Sequence, residues 1–233
     1  MNILNNLWEA VYESIIADGW WMLYLKGIGR TLLMTVGASV IGVILGILIA
    51  IVKTFHQSTG KMRVFNWLCN IYTTVIRGTP VLVQLLIIYY IIFAKAPLNM
   101  AVYIAALAFG LNSGAYVSET IRAGIQSVDV GQTEAGRSLG LSQKQTMWLI
   151  VLPQAVKNIL PALFNEMIML LKETSVAGYI GLEDITRAGD IVRSRTWTFM
   201  PLITSAFIYL FLVLGLTKVQ KYIERRLAAG DRR

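Results

Sequence analysis

A single cysteine, Cys69, leaves this 233-residue chain unable to form an internal disulfide. With one histidine, His56, there is no Cys/His spacing of the kind that holds a metal ion. Hydrolysis inside a membrane needs a nucleophile with its base or a metal-held water. His56 lies just past an apolar segment, and Glu119 and Glu166 fall on different helices, so no catalytic set is expected. No G-x-x-x-x-G-K-[ST] occurs, which excludes ATP binding through a P-loop. Charged residues make up only 15% of the chain. The net charge of +8 is scattered among apolar segments or gathered at the C-terminus, leaving no basic face to track nucleic acid. The opening residues, MNILNNLWEAVYESIIADGWW, carry acids and aromatics without a charged n-region before an apolar core. They do not read as a cleavable signal peptide.

What fills the chain is apolar: 56% hydrophobic residues, the composition of a polytopic all-α membrane protein. Residues 1–26, with Trp8, Trp20 and Trp21 among acids, read as an amphipathic lead on the extracytoplasmic surface. The transmembrane region covers 27–225. Its spans are expected at about 31–52, 64–94, 100–121, 155–171 and 196–217. Gly42 and Gly46 form a G-x-x-x-G in the first, read as a site of intramolecular packing. The second is interrupted at Arg77-Gly78-Thr79-Pro80, because proline disfavours helix at Thr79 and removes a backbone donor. Residues 173–197 read as a folded extracytoplasmic loop, and 218–233 as a basic cytosolic tail containing Lys218, Lys221, Arg225, Arg226, Arg232 and Arg233. Five spans put that tail on the same side as the polar stretch 129–153. The excess of Lys and Arg there places the C-terminus in the cytosol and the N-terminus outside.

The stretch 129–153 is too polar to cross a bilayer. Asp129 and Gln132 have capping-box spacing, as do Ser142 and Gln145. Gly140 stands where a helix takes a left-handed C-terminal residue. Two short helices meeting at a bend, kept low by Ala135, Gly136 and Gly140, make a knob that another protein can grip. Within the spans, Asn112, Tyr116 and Glu119 share one helix face, and Asn158, Pro161, Asn165 and Lys172 share another. Such stripes suit either a wet pathway or hydrogen bonding between helices, with Glu119 paired to Arg122 or Lys157.

Glu134-Ala135-Gly136, Gly140 and Ile150-Val151-Leu152-Pro153 resemble the EAA loop of ABC-transporter permeases, with Gly136 in place of the second alanine. Further markers resemble the polar amino-acid branch of that family, the histidine/glutamine/arginine type. They are Arg77-Gly78-Thr79-Pro80 with Val83-Gln84, Gly114-Ala115-Tyr116 with Glu119 and Arg122-Ala123-Gly124, Leu152-Pro153-Gln154 and Lys172-Glu173-Thr174-Ser175. The resemblance implies the type I ABC importer permease fold in a bacterial cell membrane, with about five transmembrane helices and a cytosolic coupling helix. It also implies alternating access, with Glu134, Ala135, Gly136, Gly140, Leu141 and Pro153 as the ATPase-coupling residues. The implied partners are a cytosolic ABC ATPase dimer, which binds ATP and Mg in place of any cofactor in this chain, a second permease subunit and an extracytoplasmic amino-acid-binding protein. Gln84, Asn112, Tyr116, Glu119, Asn165 and Glu166 are expected along the substrate pathway. Arg77, Gly78, Pro80, Arg122, Pro161, Lys172 and Glu173 are expected to shape or gate it. A partner permease that does not itself bind substrate, or a membrane channel or enzyme without an ATPase, are the alternatives.

Overall fold

The computed structural model describes residues 3–229, with side chains for 8–227. Arg232 and Arg233 of the basic tail lie outside the described residues. Among those described, the chain is helical without strands. Helix α1 (Ile3–Ile15) precedes α2 (Trp21–Thr59), α3 (Arg63–Gly78) and α4 (Val81–Ile87), which runs on as a π turn to Ile92. Then come α5 (Ala101–Gln126), α6 (Val130–Ser138) and α7 (Gln143–Thr146), with a π turn, Met147–Val151, leading into α8 (Leu152–Glu173). A 3-10 segment (Thr174–Ile180), α9 (Ile185–Thr196) and α10 (Met200–Ala229) complete it.

Four helical stretches are long and apolar enough to cross a membrane: Trp21–Thr59, Leu98–Gln126, Gln143–Ile180 and Met200–Leu227. A fifth crossing arises if α3 and the α4 segment, bent by 109°, count as one broken span. The bend follows from Pro80, which caps α4 with extended backbone while Thr79 before it is also extended. Its carbonyls are not left bare. The Gln84 side-chain amide donates to Ile76 O at 2.8 Å, Thr79 O at 3.1 Å and Thr79 Oγ1 at 2.7 Å.

The helices outrun the expected windows wherever a charge finds a partner. α2 continues past Arg30 and Lys53 because Arg30 pairs with Glu183 at 2.7 Å and Lys53 with Glu119 at 2.7 Å. α2 therefore takes in residues 21–26, expected to belong to the surface lead. The fourth crossing starts well before residue 155, since α7, the π turn and α8 form one continuous rod. Residues 173–197 are folded as the 3-10 segment and α9, with Ile180, Ile185, Ala188 and Val192 buried, and α10 begins only at Met200.

α2 and α5 form the most extensive helix pair, and glycine permits it. A Cβ on Gly42 would stand 2.6 Å from Ser113 Oγ, and one on Gly46 would collide with Val117. The G-x-x-x-G thus serves packing within the chain. The largest buried cluster joins Met34, Leu85, Ile104, Phe109, Leu170 and Ile180, at the end of the bundle formed by α4, the start of α5 and the end of α8.

Candidate functional sites: an exposed elbow and a polar cleft

The elbow is built from local rules. Asp129 caps α6, its Oδ1 accepting from Gly131 N at 2.7 Å. The reciprocal half of that expected capping box does not form, because Gln132 Oε1 accepts instead from Gln154 Nε2 at 3.3 Å. Ser142 and Gln145 do form a full box at α7. Gly140 has φ +84°, the left-handed conformation that ends α6. Glu134 and Ala135 are exposed and Leu141 is half-buried, while Leu139 is 81% exposed. Gly136 departs from expectation. It is buried, and a Cβ there would lie 2.7 Å from Ile150 Cδ1 and 2.9 Å from Thr146 Cγ2. Its lack of a side chain lets α6 seat on α7 rather than lowering the outer surface. Pro153, exposed, sits at the first turn of α8 just after the π turn, where its missing donor is tolerated.

The cleft lies between α5 and α8. A cavity of about 70 Å³ is lined by Asn112, Ser113, Tyr116, Glu166, Met169, Leu170 and Glu173. A larger one of about 210 Å³ shares Ser113 and Glu166 and is otherwise mostly apolar, with Val43, Val117, Leu160, Leu163, Phe164 and Met167. The buried Ser39 hydroxyl also lines it, without a hydrogen-bond partner among the described residues. Arg77 stacks on the Tyr116 ring at 5.4 Å and brings the last turn of α3, just before the break, to the cleft. Asn112 Nδ2 donates to Gln84 Oε1 at 2.9 Å, tying the cleft wall to the bend. The small cavity is far below the several hundred Å³ of a typical ligand pocket. It is a small cleft lined by two carboxylates.

The expected pathway residues divide accordingly. Asn112, Tyr116 and Glu166 come together, joined by Glu173. Gln84 has both ends of its amide engaged, and Asn165 is exposed on α8 outside both cavities. Glu119 is elsewhere, at the elbow end of the bundle. One of its oxygens accepts from Lys53 Nζ at 2.7 Å and the other from Arg122 Nε at 2.9 Å. Lys53, only 9% exposed, also donates to Thr73 Oγ1 at 3.0 Å. These contacts join α2, α3 and α5, and Arg122 extends them to Gln126 at 2.7 Å. Pro161 accepts at its carbonyl from Gln220 Nε2 at 3.4 Å. Gly78 and Lys172 are exposed. Lys53, Thr73 and Ser113 escaped the sequence reading, since each acts through partners remote in sequence.

At the opposite end a second polar cluster fixes α9. Asp184, fully buried, accepts from the backbone of Thr186 at 3.0 Å and Arg187 at 3.1 Å, and from the Tyr209 hydroxyl at 3.1 Å. Burial pushes its carboxyl above the usual range, opposed by those hydrogen bonds. On the exposed face of α9 the Arg193 hydrogen bond, helped by the charge of Arg187, holds Asp190 below that range.

Comparison with known proteins agrees with this architecture. Residues 16–229 match the family described as binding-protein-dependent transport system inner membrane component. The chain is 41% identical over 209 residues to the arginine transport system permease protein ArtQ of Bacillus subtilis (strain 168), across 89% of this chain and 93% of that protein. It is 42% identical over 208 residues to a putative glutamine transport system permease protein GlnP of Rickettsia conorii, across 87% and 92%. A crystal structure of an amino acid ABC transporter with histidines superposes with a TM-score of 0.81 at 42% identity, covering 89% of this chain and 95% of that one. The inward-facing MetNI methionine ABC transporter, at 16% identity and a TM-score of 0.76, shares the fold over 91% of this chain and 99% of its own. The chain belongs to the binding-protein-dependent transport system inner membrane components, the permease family of ABC transporters.

Proposed function

We propose that this chain is the membrane-spanning subunit of an ATP-driven amino-acid importer, with the α5–α8 cleft as part of the translocation pathway and the α6–α7 elbow as the lever that couples it to a separate cytosolic ATPase. The observation that carries this reading is the elbow: a doubly capped, exposed pair of short helices joined without interruption to the transmembrane rod α8. Such a rod passes a push on α6 directly to the helix that carries Glu166 and Glu173. The two carboxylates suit a substrate ammonium or a cationic side chain better than an anion. Arginine and glutamine transport by the similar permeases supports an amino acid as cargo. A second permease subunit would supply the other wall of the pathway, and an extracytoplasmic binding protein would deliver the substrate.

The test is co-purification of the tagged chain with its cognate ATPase. Gly140 is the wrong site to perturb, because any side chain there is strained at φ +84°. Leu139→Arg, at the exposed C-cap of α6, and Ala135→Arg, on its exposed face, place charge on the elbow while leaving Gly140 in its left-handed conformation. Retention of the ATPase by the wild type and its loss from both variants is the expected result. Retention by all three forms would remove the elbow from the interface.

A further inference from the structure

We propose that the outward face of the last helix, beyond the membrane core, is a binding surface for anionic phospholipid headgroups, formed by Lys218, Lys221 and Arg225. The apolar part of α10, Met200–Thr217, is roughly 27 Å long at about 1.5 Å per residue, close to the roughly 30 Å hydrocarbon core. The helix then continues to Ala229, reaching roughly 18 Å further.

Along one face run Phe207, Phe211, Leu214, Lys218, Lys221 and Arg225, at alternating spacings of four and three, so that all six share a side. The first three are 65%, 78% and 52% exposed, on the least buried of the four long spans. That face meets acyl chains. The same stripe turns from apolar to basic at Lys218, and its three bases are exposed.

The level is fixed independently. Gln220, on the opposite, buried face, donates to Pro161 O, two residues from Ile159, which packs against Gly124 near the end of α5. Lys218 and Lys221 therefore stand at the level where α5 ends.

Among the described residues no ion pair engages Lys218, Lys221, Arg225 or Arg226. The one acid in this stretch, Glu224, accepts from Gln220 at 2.9 Å on the inner side. Tyr222, 58% exposed beside the bases, accepts from Arg226 at 2.7 Å and adds an amphipathic ring at headgroup depth. Unpaired bases on a lipid-facing stripe at that depth complement phosphodiester headgroups.

The test uses the full chain, exchanged into nanodiscs of equimolar phosphatidylglycerol and phosphatidylcholine. It is then extracted mildly, and the retained lipid is counted by native mass spectrometry. The wild type should retain phosphatidylglycerol preferentially. K218Q/K221Q/R225Q should reduce that preference by about fivefold or more, high salt should do the same, and K218R/K221R/R225K should restore it. K26Q/K95Q, at the other end of the bundle, should change it little. An unchanged preference in the triple glutamine variant overturns the proposal, as does an equal loss in K26Q/K95Q. If the triple variant instead splits a permease dimer and keeps its lipid preference, the face belongs to a second protein chain and the proposal also fails.

Discussion

At the scale of single residues, Lys53 and Glu119 show how a charge comes to lie inside a membrane protein. Taking an ion out of water costs several kcal/mol unless a partner and further hydrogen bonds replace the lost solvation. Lys53 has Glu119 and Thr73; Glu119 has Lys53 and Arg122. Removing one partner strands the other. Lys53→Met should destabilise the solubilised protein by about 3 kcal/mol, read as a lowered Tm. The double variant Lys53→Met/Glu119→Gln should recover part of that loss, because neither charge is then left uncompensated. A double variant less stable than Lys53→Met would mean that Arg122 alone satisfies Glu119. The Lys53–Glu119 and Lys53–Thr73 pairings are not visible from sequence spacing. A lysine at the end of an apolar run reads as the end of a span, and its acid lies in another helix. The Glu119–Arg122 contact, three residues apart on one helix, was legible for the opposite reason.

At the scale of elements, local chemistry predicted what local chemistry controls. The Ser142–Gln145 box, the left-handed Gly140 and the break at Pro80 all depend on residues within a few positions of one another. The size of the bend, the π turns and the length of α2 depend on what the segments pack against. The folding of residues 173–197 does too, since α9 is held by a cap whose carboxylate also reaches Tyr209 on α10. Asp184→Ala removes the cap and the Tyr209 contact together. It should cost about 2 kcal/mol, while Asp184→Asn, which keeps an acceptor, should cost less. The pH dependence has a defined sign. The folded carboxyl is raised, so the folded state binds its proton more readily than the unfolded chain. Stability from this group therefore falls as pH rises from about 3.9, the ordinary aspartate value, up through the folded one. Asp184→Asn should flatten that fall in a Tm-versus-pH series. Asp190 acts the other way: its depressed carboxyl loses its contribution as pH falls through the folded value. Because it is exposed, that effect is small.

At the scale of the whole molecule, the two ends of the bundle differ in kind. One end is closed by the cluster around Phe109 and by α9; the other carries the elbow, the Lys53–Glu119–Arg122 clamp and the end of α10. Asn158 Nδ2, donating to Ser127 Oγ at 2.9 Å, and the Gln220–Pro161 contact put these features at a common level. Basic residues flanking spans set orientation whether or not they are paired. The helix levels put Arg122 on the elbow side, where Lys53, Lys61, Arg63, Arg137, Lys144 and the tail bases also lie. The bias read from loops alone is thereby strengthened, and it predicts that the elbow faces the cytosol and the α9–α10 turn the outside. In a Cys69→Ser background, single cysteines at Ser138 and Thr198 report the two ends. A membrane-impermeant maleimide added to intact cells should label Thr198→Cys at once, and should label Ser138→Cys only after the membrane is opened. The reverse pattern would put the elbow outside, away from any cytosolic ATPase, and would remove the coupling role proposed for it.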